Sequence, residues 1–281
     1  MILDALGATI YKYLKLSPQQ TTVIMVHVLA VVGLYYLWDP WYLLVFYLGN
    51  RLIMGIGHDI GMHRYFSHRS FKTSRPWEYV FLFLNIFTTH GSPLVWVATH
   101  RIHHGFSDQP GDPHPSKQPL KTWFWFFEDT VKFQKSGVKD LLKQPGQLFV
   151  FKHYLKLYWG LLGLFTVLFG AKFVLYFFIL NGVVGFHTAG LINICMHRWG
   201  YRSFETTDLS RNNWWSSVIH LGAGWHNNHH KFPNSYTYKV LPWEFDPSAW
   251  IIKNIIATNK DELVDLSEYK DQALAYKALG K

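Results

Sequence analysis

Apolar residues in this chain of 281 residues are gathered into long runs instead of being spread at the spacing of a soluble core. Four runs, at about 22–38, 41–62, 155–169 and 173–196, approach the length of a bilayer-crossing helix, roughly 17–25 residues. Trp38, Trp41, Tyr42, Tyr158 and Trp159 stand at run ends, where amphipathic rings favour the headgroup level. So short a chain cannot bury four such helices in soluble structure, and the pattern predicts an all-α integral membrane protein. The spans pair as two hairpins, turning at Asp39-Pro40 and near Gly170-Ala171. The segments 63–154 and 197–281 are then a helical cap, and the whole of 1–281 is one domain. A further apolar stretch, 77–98, holds Glu78, Asn85 and His90 and is interrupted by Pro93. It reads as a helix lying along the membrane interface.

Charge orients the spans. Lys and Arg number 27 against 18 Asp and Glu, a net charge of +9, and nearly all of them lie outside the hairpin tips. The positive-inside rule puts both termini and the long middle segment in the cytoplasm. The basic face suits anionic lipid or an acidic protein partner. Nucleic acid is excluded as a partner, since no recognition motif accompanies the charge. The first twenty residues, with Asp4, Lys12 and Lys15, lack the compact apolar core of a cleavable signal. The single cysteine, Cys195, demands no oxidising compartment.

Candidate chemistry lies in the 16 histidines. His100-Arg101-Ile102-His103-His104 and His226-Asn227-Asn228-His229-His230 are both H-x2-H-H. On a helix, i, i+3 and i+4 are neighbours, so each cluster can aim three imidazoles at one place, and imidazole is a common ligand for iron, copper and zinc. The stretch GHDIGMHRYFSHRSFK adds His58, His63 and His68, each five residues from the next. At about 100° per residue both pairs lie about 140° apart on a straight α-helix, so geometry leaves the choice between them open. One shared metal site needs all clusters on one side of the membrane. The segment 77–98 must then return to the side it left, in agreement with the charge rule.

H-x4-H, H-x2-H-H and H-x2-H-H, with a membrane hairpin between the second and third, resemble the membrane fatty-acid desaturases. The surrounding words are similar too: His63-Arg64 leading to Ser67-His68-Arg69-Ser70-Phe71, Trp96 before His100, Asp112-Pro113-His114, and Gly224-Trp225 before His226. The resemblance covers about 57–247 plus the two hairpins. It implies a centre of two iron ions held by His63, His68, His100, His103, His104, His197, His226, His229 and His230, with Asn193 acting through a water. His197 enters because it follows Asn193 by four residues at the end of the fourth span, as in the family. The branch acting on saturated chains reads H-R-x-x-S-H, which selects His63 and His68 and leaves out His58; a second branch uses H-D-x-G-H, which Asp59 resembles. In relatives a bulky residue on the second span closes the substrate tunnel; sixteen residues back from His63, about 24 Å along an unbroken helix, stands Tyr47, which reads equally as that residue or as an interfacial or lipid-facing tyrosine.

The implied reaction places a cis double bond in a saturated acyl chain, using O2 and two electrons. Extracting hydrogen from an unactivated methylene is beyond any amino-acid acid or base and requires a redox metal. Asp108, Asp112, Glu205 and Asp208 are candidates to fix the imidazole tautomers. The chain carries no haem-attachment Cys pair, dinucleotide fingerprint or cytochrome b5-like His-Pro-Gly-Gly, which implies a separate donor such as ferredoxin, rubredoxin or cytochrome b5. Ala98-Thr99 replaces the Arg-Asp pair that acyl-CoA enzymes use, which favours a lipid-linked acyl chain over CoA. Arg51 falls within the second span and is a functional candidate by its position, with Asn181 or His187 as possible partners. A di-iron hydroxylase would share these ligands. A metal transporter or metal sensor would instead place them within the spans.

Overall fold

The computed structural model describes residues 16–124 and 135–279, and among these every regular element is helical, with only isolated β-bridges such as Thr73 to Ala257. The reading of the N-terminal leader falls largely outside the described residues.

Helix α1, Pro18–Leu37, starts at a capping box. Ser17 Oγ accepts from the Gln20 amide at 3.2 Å, and Gln20 Oε1 accepts from the Ser17 amide at 2.8 Å. Helix α2, Leu43–Asn50, continues without a break into a π-helix, Arg51–Ser67. Helix α3 is Arg75–Asn85 and α4 is Pro93–Phe106. A short α5, Pro119–Trp123, precedes the long α6, Pro145–Phe169, and α7, Ala171–Cys195, which is π-helical over Leu175–Ile179. Four further short helices follow: α8, Trp214–Ile219; α9, His226–Lys231; α10, Pro247–Ile251; and α11, Lys270–Ala278.

The helices α1 and α7 are each long and apolar enough to cross a membrane. The pair α3 and α4, taken with the 3-10 turn Ile86–Thr88, makes a third candidate if it is one broken span. The predicted spans at 41–62 and 155–169 are helical but carry Arg51, His58 and Asp59, and Lys156, which lower their hydropathy. Val31 is 71% exposed and Val167 85%, on outer faces crowded with other exposed apolar side chains. Such a belt is a liability in water and natural in a bilayer.

The two predicted turns fall where the helices end, at Asp39 and at Gly170 (φ 82°). The tips meet: Lys172 Nζ lies 3.0 Å from Asp39 Oδ2, and the Tyr176 hydroxyl accepts from the Asp39 amide at 2.8 Å. The segment 77–98 is not the single interfacial helix that the sequence suggests. It is two helices bent by 86°. Thr89 (φ 59°) and Gly91 (φ 81°) take left-handed backbone at the corner, and Pro93 opens the second helix.

The π-helix is central to the core. Gly57 and Gly61 let α3 approach it so closely that a Cβ at Gly61 would stand 2.6 Å from Phe81 Cβ. Asn85 Nδ2 donates to the Gly57 carbonyl at 2.7 Å. Arg64, wholly buried, ties the same helix to the C-terminal segment. It makes a bidentate pair with Asp246, at 2.8 and 3.0 Å, donates to the Tyr236 carbonyl at 2.8 Å, and stacks 3.9 Å from the Tyr238 ring.

Candidate metal centre

Four elements bring histidines together. The π-helix supplies His63, with His68 just past its end; α4 supplies His100, His103 and His104; the end of α7 leads to His197; α9 supplies His226, His229 and His230. The imidazoles fall into two groups. His63, His68, His100, His104 and His229 can each offer a nitrogen within 4.8 Å of the others, and so can His103, His197, His226 and His230.

Each H-x2-H-H motif is therefore divided, where the sequence suggested one target for all three imidazoles. Residues i and i+4 lie about 40° apart on a helix, whereas i+3 and i+4 lie about 100° apart. On α4 the i, i+4 pair His100 and His104 joins the five-histidine group and His103 the other. On α9 the pair His226 and His230 joins the four-histidine group and His229 crosses over. His104 and His230 stack at 4.4 Å where the groups meet.

The motif's own asparagines hold α9 in place. Asn212 Oδ1 accepts from the Asn227 and Asn228 amides at 3.0 and 3.2 Å. Asn227 Oδ1 accepts from the amides of Ser203 and Phe204, and Asn228 Nδ2 donates to Glu244 and to the Tyr238 carbonyl. H-N-N-H-H thus alternates imidazoles facing the site with amides bonded to the shell behind it.

Carboxylates set the tautomers. His103 Nδ1 lies 2.8 Å from Asp112, His197 Nδ1 2.6 Å from Asp108, and His230 Nδ1 2.6 Å from Asp208. A carboxylate only accepts, so each Nδ1 bears the hydrogen and each Nε2 presents a lone pair inward. Burial would raise Asp208, but the hydrogen bonds it accepts from His230, Ser210 and Thr206 hold it far below its usual range. Glu205, the fourth candidate, is exposed; its backbone carbonyl accepts from Lys231.

These inward nitrogens are poorly served by the protein alone. His226 Nε2 sits 3.1 Å from both His197 Nε2 and His230 Nε2, although it has one hydrogen at most to give. His103 Nε2 is buried with no hydrogen-bond partner. Burial, with neighbouring imidazoles, keeps His226 and His229 well below the ordinary histidine range, and His230 at about 4. His226, His229 and His230 are thereby neutral at physiological pH, and the convergent nitrogens make the donor set that a soft or borderline metal ion takes.

His58 lies outside both groups, against His90 and Trp96. A cavity runs from the histidines between the π-helix and α7, and His58 faces it together with Asn50, Arg51, Met54, Val184, Ile192 and Asn193. Asn193 Nδ2 donates to the Ala189 carbonyl at 3.0 Å. Tyr47 is not among the lining residues. It is 55% exposed, with the Arg51 guanidinium 5.3 Å from its ring centre. Arg51 pairs with neither Asn181 nor His187. It donates from Nη1 and Nη2 to the Ile219 carbonyl, at 3.1 Å each, and to Asn50 Oδ1. His187 contacts His27 and Trp123 instead.

Sequence reasoning missed Tyr238, whose hydroxyl is 3.3 Å from His63 Nδ1 and whose ring is 4.5 Å from His229. It also missed Asp246, which sits in no motif and is identified only by the Arg64 it faces.

Residues 39–257 match the family model for fatty acid desaturases. The chain is 35% identical over 254 residues to Delta-9 acyl-lipid desaturase 2 of Arabidopsis thaliana, covering 86% of this chain and 78% of the relative. It is 33% identical over 238 residues to the sn-2 palmitoyl-lipid 9-desaturase of a Nostoc species, covering 81% and 82%. An acyl-CoA C20 Delta5-desaturase of Anemone leveillei is 36% identical over 209 residues, or 70% of this chain and 65% of the relative. With its helical membrane fold and its two histidine groups, the chain belongs to the fatty acid desaturase family, a family of oxidoreductases.

Proposed function

We propose that this protein is an O2-dependent desaturase that inserts a cis double bond into a saturated, lipid-linked acyl chain at a centre of two iron ions. The observation that carries the reading is the pair of histidine groups at the head of a cavity between the π-helix and α7. One ion takes His63, His68, His100, His104 and His229; the other takes His103, His197, His226 and His230, with Asn193 through a water. Iron bound there supplies, with O2 and two electrons, the oxidant that removes hydrogen from an unactivated methylene.

The chain's own residues do the rest. Asp108, Asp112 and Asp208 hold three imidazoles in the ligating tautomer. Trp96, stacked on His100 at 4.7 Å, and the wall from Met54 to Asp59 confine the acyl chain beside the histidines, so that position selects the bond. Lipid linkage is supported by the acyl-lipid substrates in the names of the plant and Nostoc relatives, and by Ala98-Thr99. The anemone relative is named for acyl-CoA, so the carrier is part of what the test must decide.

In this reading four helices span the membrane (α1, α2 with its π-helical continuation, α6 and α7). The pair α3 and α4 dips in and returns, so the site and both termini lie on the cytoplasmic side. Electrons come from a separate ferredoxin, rubredoxin or cytochrome b5. A transporter would hold its ligands at mid-span, whereas these histidines stand at helix ends and in the cap. The test is expression in a host that lacks unsaturated fatty acids, followed by mass analysis of each lipid class. We expect acyl chains two hydrogens lighter, in the lipid fraction, from the wild type and none from His229→Ala. Acyl chains that gain an oxygen would establish the hydroxylase instead.

A further inference from the structure

Carboxylates are divided unequally between the two histidine groups. In the four-histidine group His103, His197 and His230 each face an aspartate at 2.8 Å or less. In the five-histidine group, among the described residues, only His63 pairs with a carboxylate. That partner, Asp59, is 3.6 Å away and is also engaged by Arg64 at 3.3 Å. His229 Nδ1 is buried with no hydrogen-bond partner among the described residues. Arginines adjoin both groups, Arg64 after His63, Arg101 after His100 and Arg198 after His197, and Arg64 and Arg101 are themselves paired with Asp246 and Asp140.

Two physical effects follow, and they act in the same direction. A carboxylate on the outer nitrogen makes an imidazole a stronger donor. Buried negative charge also favours a cation beside it, the more so the higher the cation's charge. One position has three such carboxylates. The other has one, Asp59, at the longer distance of 3.6 Å and shared with Arg64.

We propose, on the two-iron reading above, that the two metal positions are unequal. The four-histidine position binds iron more tightly and oxidises first; the five-histidine position is labile and favours ferrous iron. Asp108, Asp112 and Asp208 are positioning residues that create the difference. A chain holding iron in the four-histidine position alone is then a stable, half-loaded form.

The test treats the iron-loaded protein with increasing chelator, following iron per chain and the Mössbauer spectrum. We expect iron to leave in two steps, with the retained half giving one quadrupole doublet. On partial oxidation of the full protein, that same doublet should become ferric first. His100→Ala should keep a chelator-resistant iron, and His197→Ala should keep only iron that is easily stripped. Asp112→Asn should bring the resistant step down by about 10–100-fold in affinity and leave the labile step unchanged. Because Asp112 also accepts from the Asp108 and His114 amides, as Asp208 does from the Ser210 amide, the unchanged labile step is the control that the fold of the variant is intact. Release of both irons in one step, or a resistant iron lost in His100→Ala and kept in His197→Ala, would overturn the proposal while leaving a two-iron centre in place. A protein that takes up no iron would overturn both.

Discussion

The amide of His68 donates to the carbonyl of His63 at 3.2 Å, a step of five residues. That is the hydrogen bond of a π-helix, and the helix from Arg51 to Ser67 is built of such steps. Residues five apart then stack one turn above another, so His63 and His68 bring their rings to 5.0 Å. The same register aligns Asp59 with Arg64, at 3.3 Å. Because His58 ends below the site, against His90 and Trp96, the two pairs should differ on mutation. His68→Ala should lose turnover and bound iron, and His58→Ala should keep measurable amounts of both. Iron content and product formed in membranes carrying each variant check this, and a reversed result would move the site to His58.

The close approach of α3 to the π-helix makes a stability contrast available. At Gly61 a new methyl would meet Phe81, itself wholly buried, at 2.6 Å. Gly61→Ala should therefore cost about 1–3 kcal/mol through overpacking. Gly163, on α6, has nothing within 4 Å of such a methyl. Gly163→Ala should be neutral or gain about 0.5–1 kcal/mol from helix propensity. Melting temperatures in detergent should move in opposite directions. Equal shifts would mean that α3 and the π-helix are not in this contact.

Acid should weaken the metal-free protein. Burial lowers His230 from 6.5 to about 4 despite the hydrogen bond it donates to Asp208, so the folded protein keeps it neutral where the unfolded chain is protonated. Between those two values the unfolded state binds the extra proton. Stability is thus full above pH about 6.5 and falls toward pH 4, by up to about 1.4 kcal/mol per pH unit for each such histidine. His226 and His229 shift in the same direction and add to the slope. Melting of the chelated protein at pH 7 and at pH 5 should differ accordingly; a flat profile would contradict neutral, buried imidazoles.

In the proposed reading, acyl length is set at the far end of the cavity. Arg51 lines it and Tyr47 does not, but the guanidinium rests 5.3 Å over the Tyr47 ring and is anchored on the Ile219 carbonyl. In this account Tyr47 closes the tunnel through Arg51. Tyr47→Ala and Arg51→Ala should both raise the relative turnover of longer chains while the double-bond position, counted from the carboxyl end, stays fixed. Product profiles from mixed substrates measure this, and unchanged profiles in both variants would place the tunnel's end elsewhere.

Much of this architecture was legible in the sequence because it depends on local pattern. Apolar runs mark α1 and α7, and Asp39-Pro40 and Gly170 mark the hairpin turns. Asp108, Asp112 and Asp208 could be named as candidates from residue type, but only Asp112 bonds a histidine near it in sequence; Asp108 reaches His197 and Asp208 reaches His230 across the fold, and Glu205 is exposed. What was hidden depends on departures from ideal geometry or on distant contacts. A rotation of about 100° per residue misplaces every residue of a π-helix, so the H-x4-H pairs read as about 140° apart and the choice between them stays open. The 86° bend at His90–Ser92 needs left-handed backbone at Thr89, a residue that carries no signal for it. The division of each H-x2-H-H motif between two groups, and the pairing of Arg51 with Ile219, are set by where other helices lie.

The central claim is that two irons sit in these two histidine groups. Diffraction data from crystals of the iron-loaded protein, collected on both sides of the iron absorption edge, test it most directly. The account expects two iron peaks, one within His63, His68, His100, His104 and His229 and the other within His103, His197, His226 and His230. A single peak, a signal belonging to zinc, or a metal lodged between the membrane helices away from these histidines would contradict it.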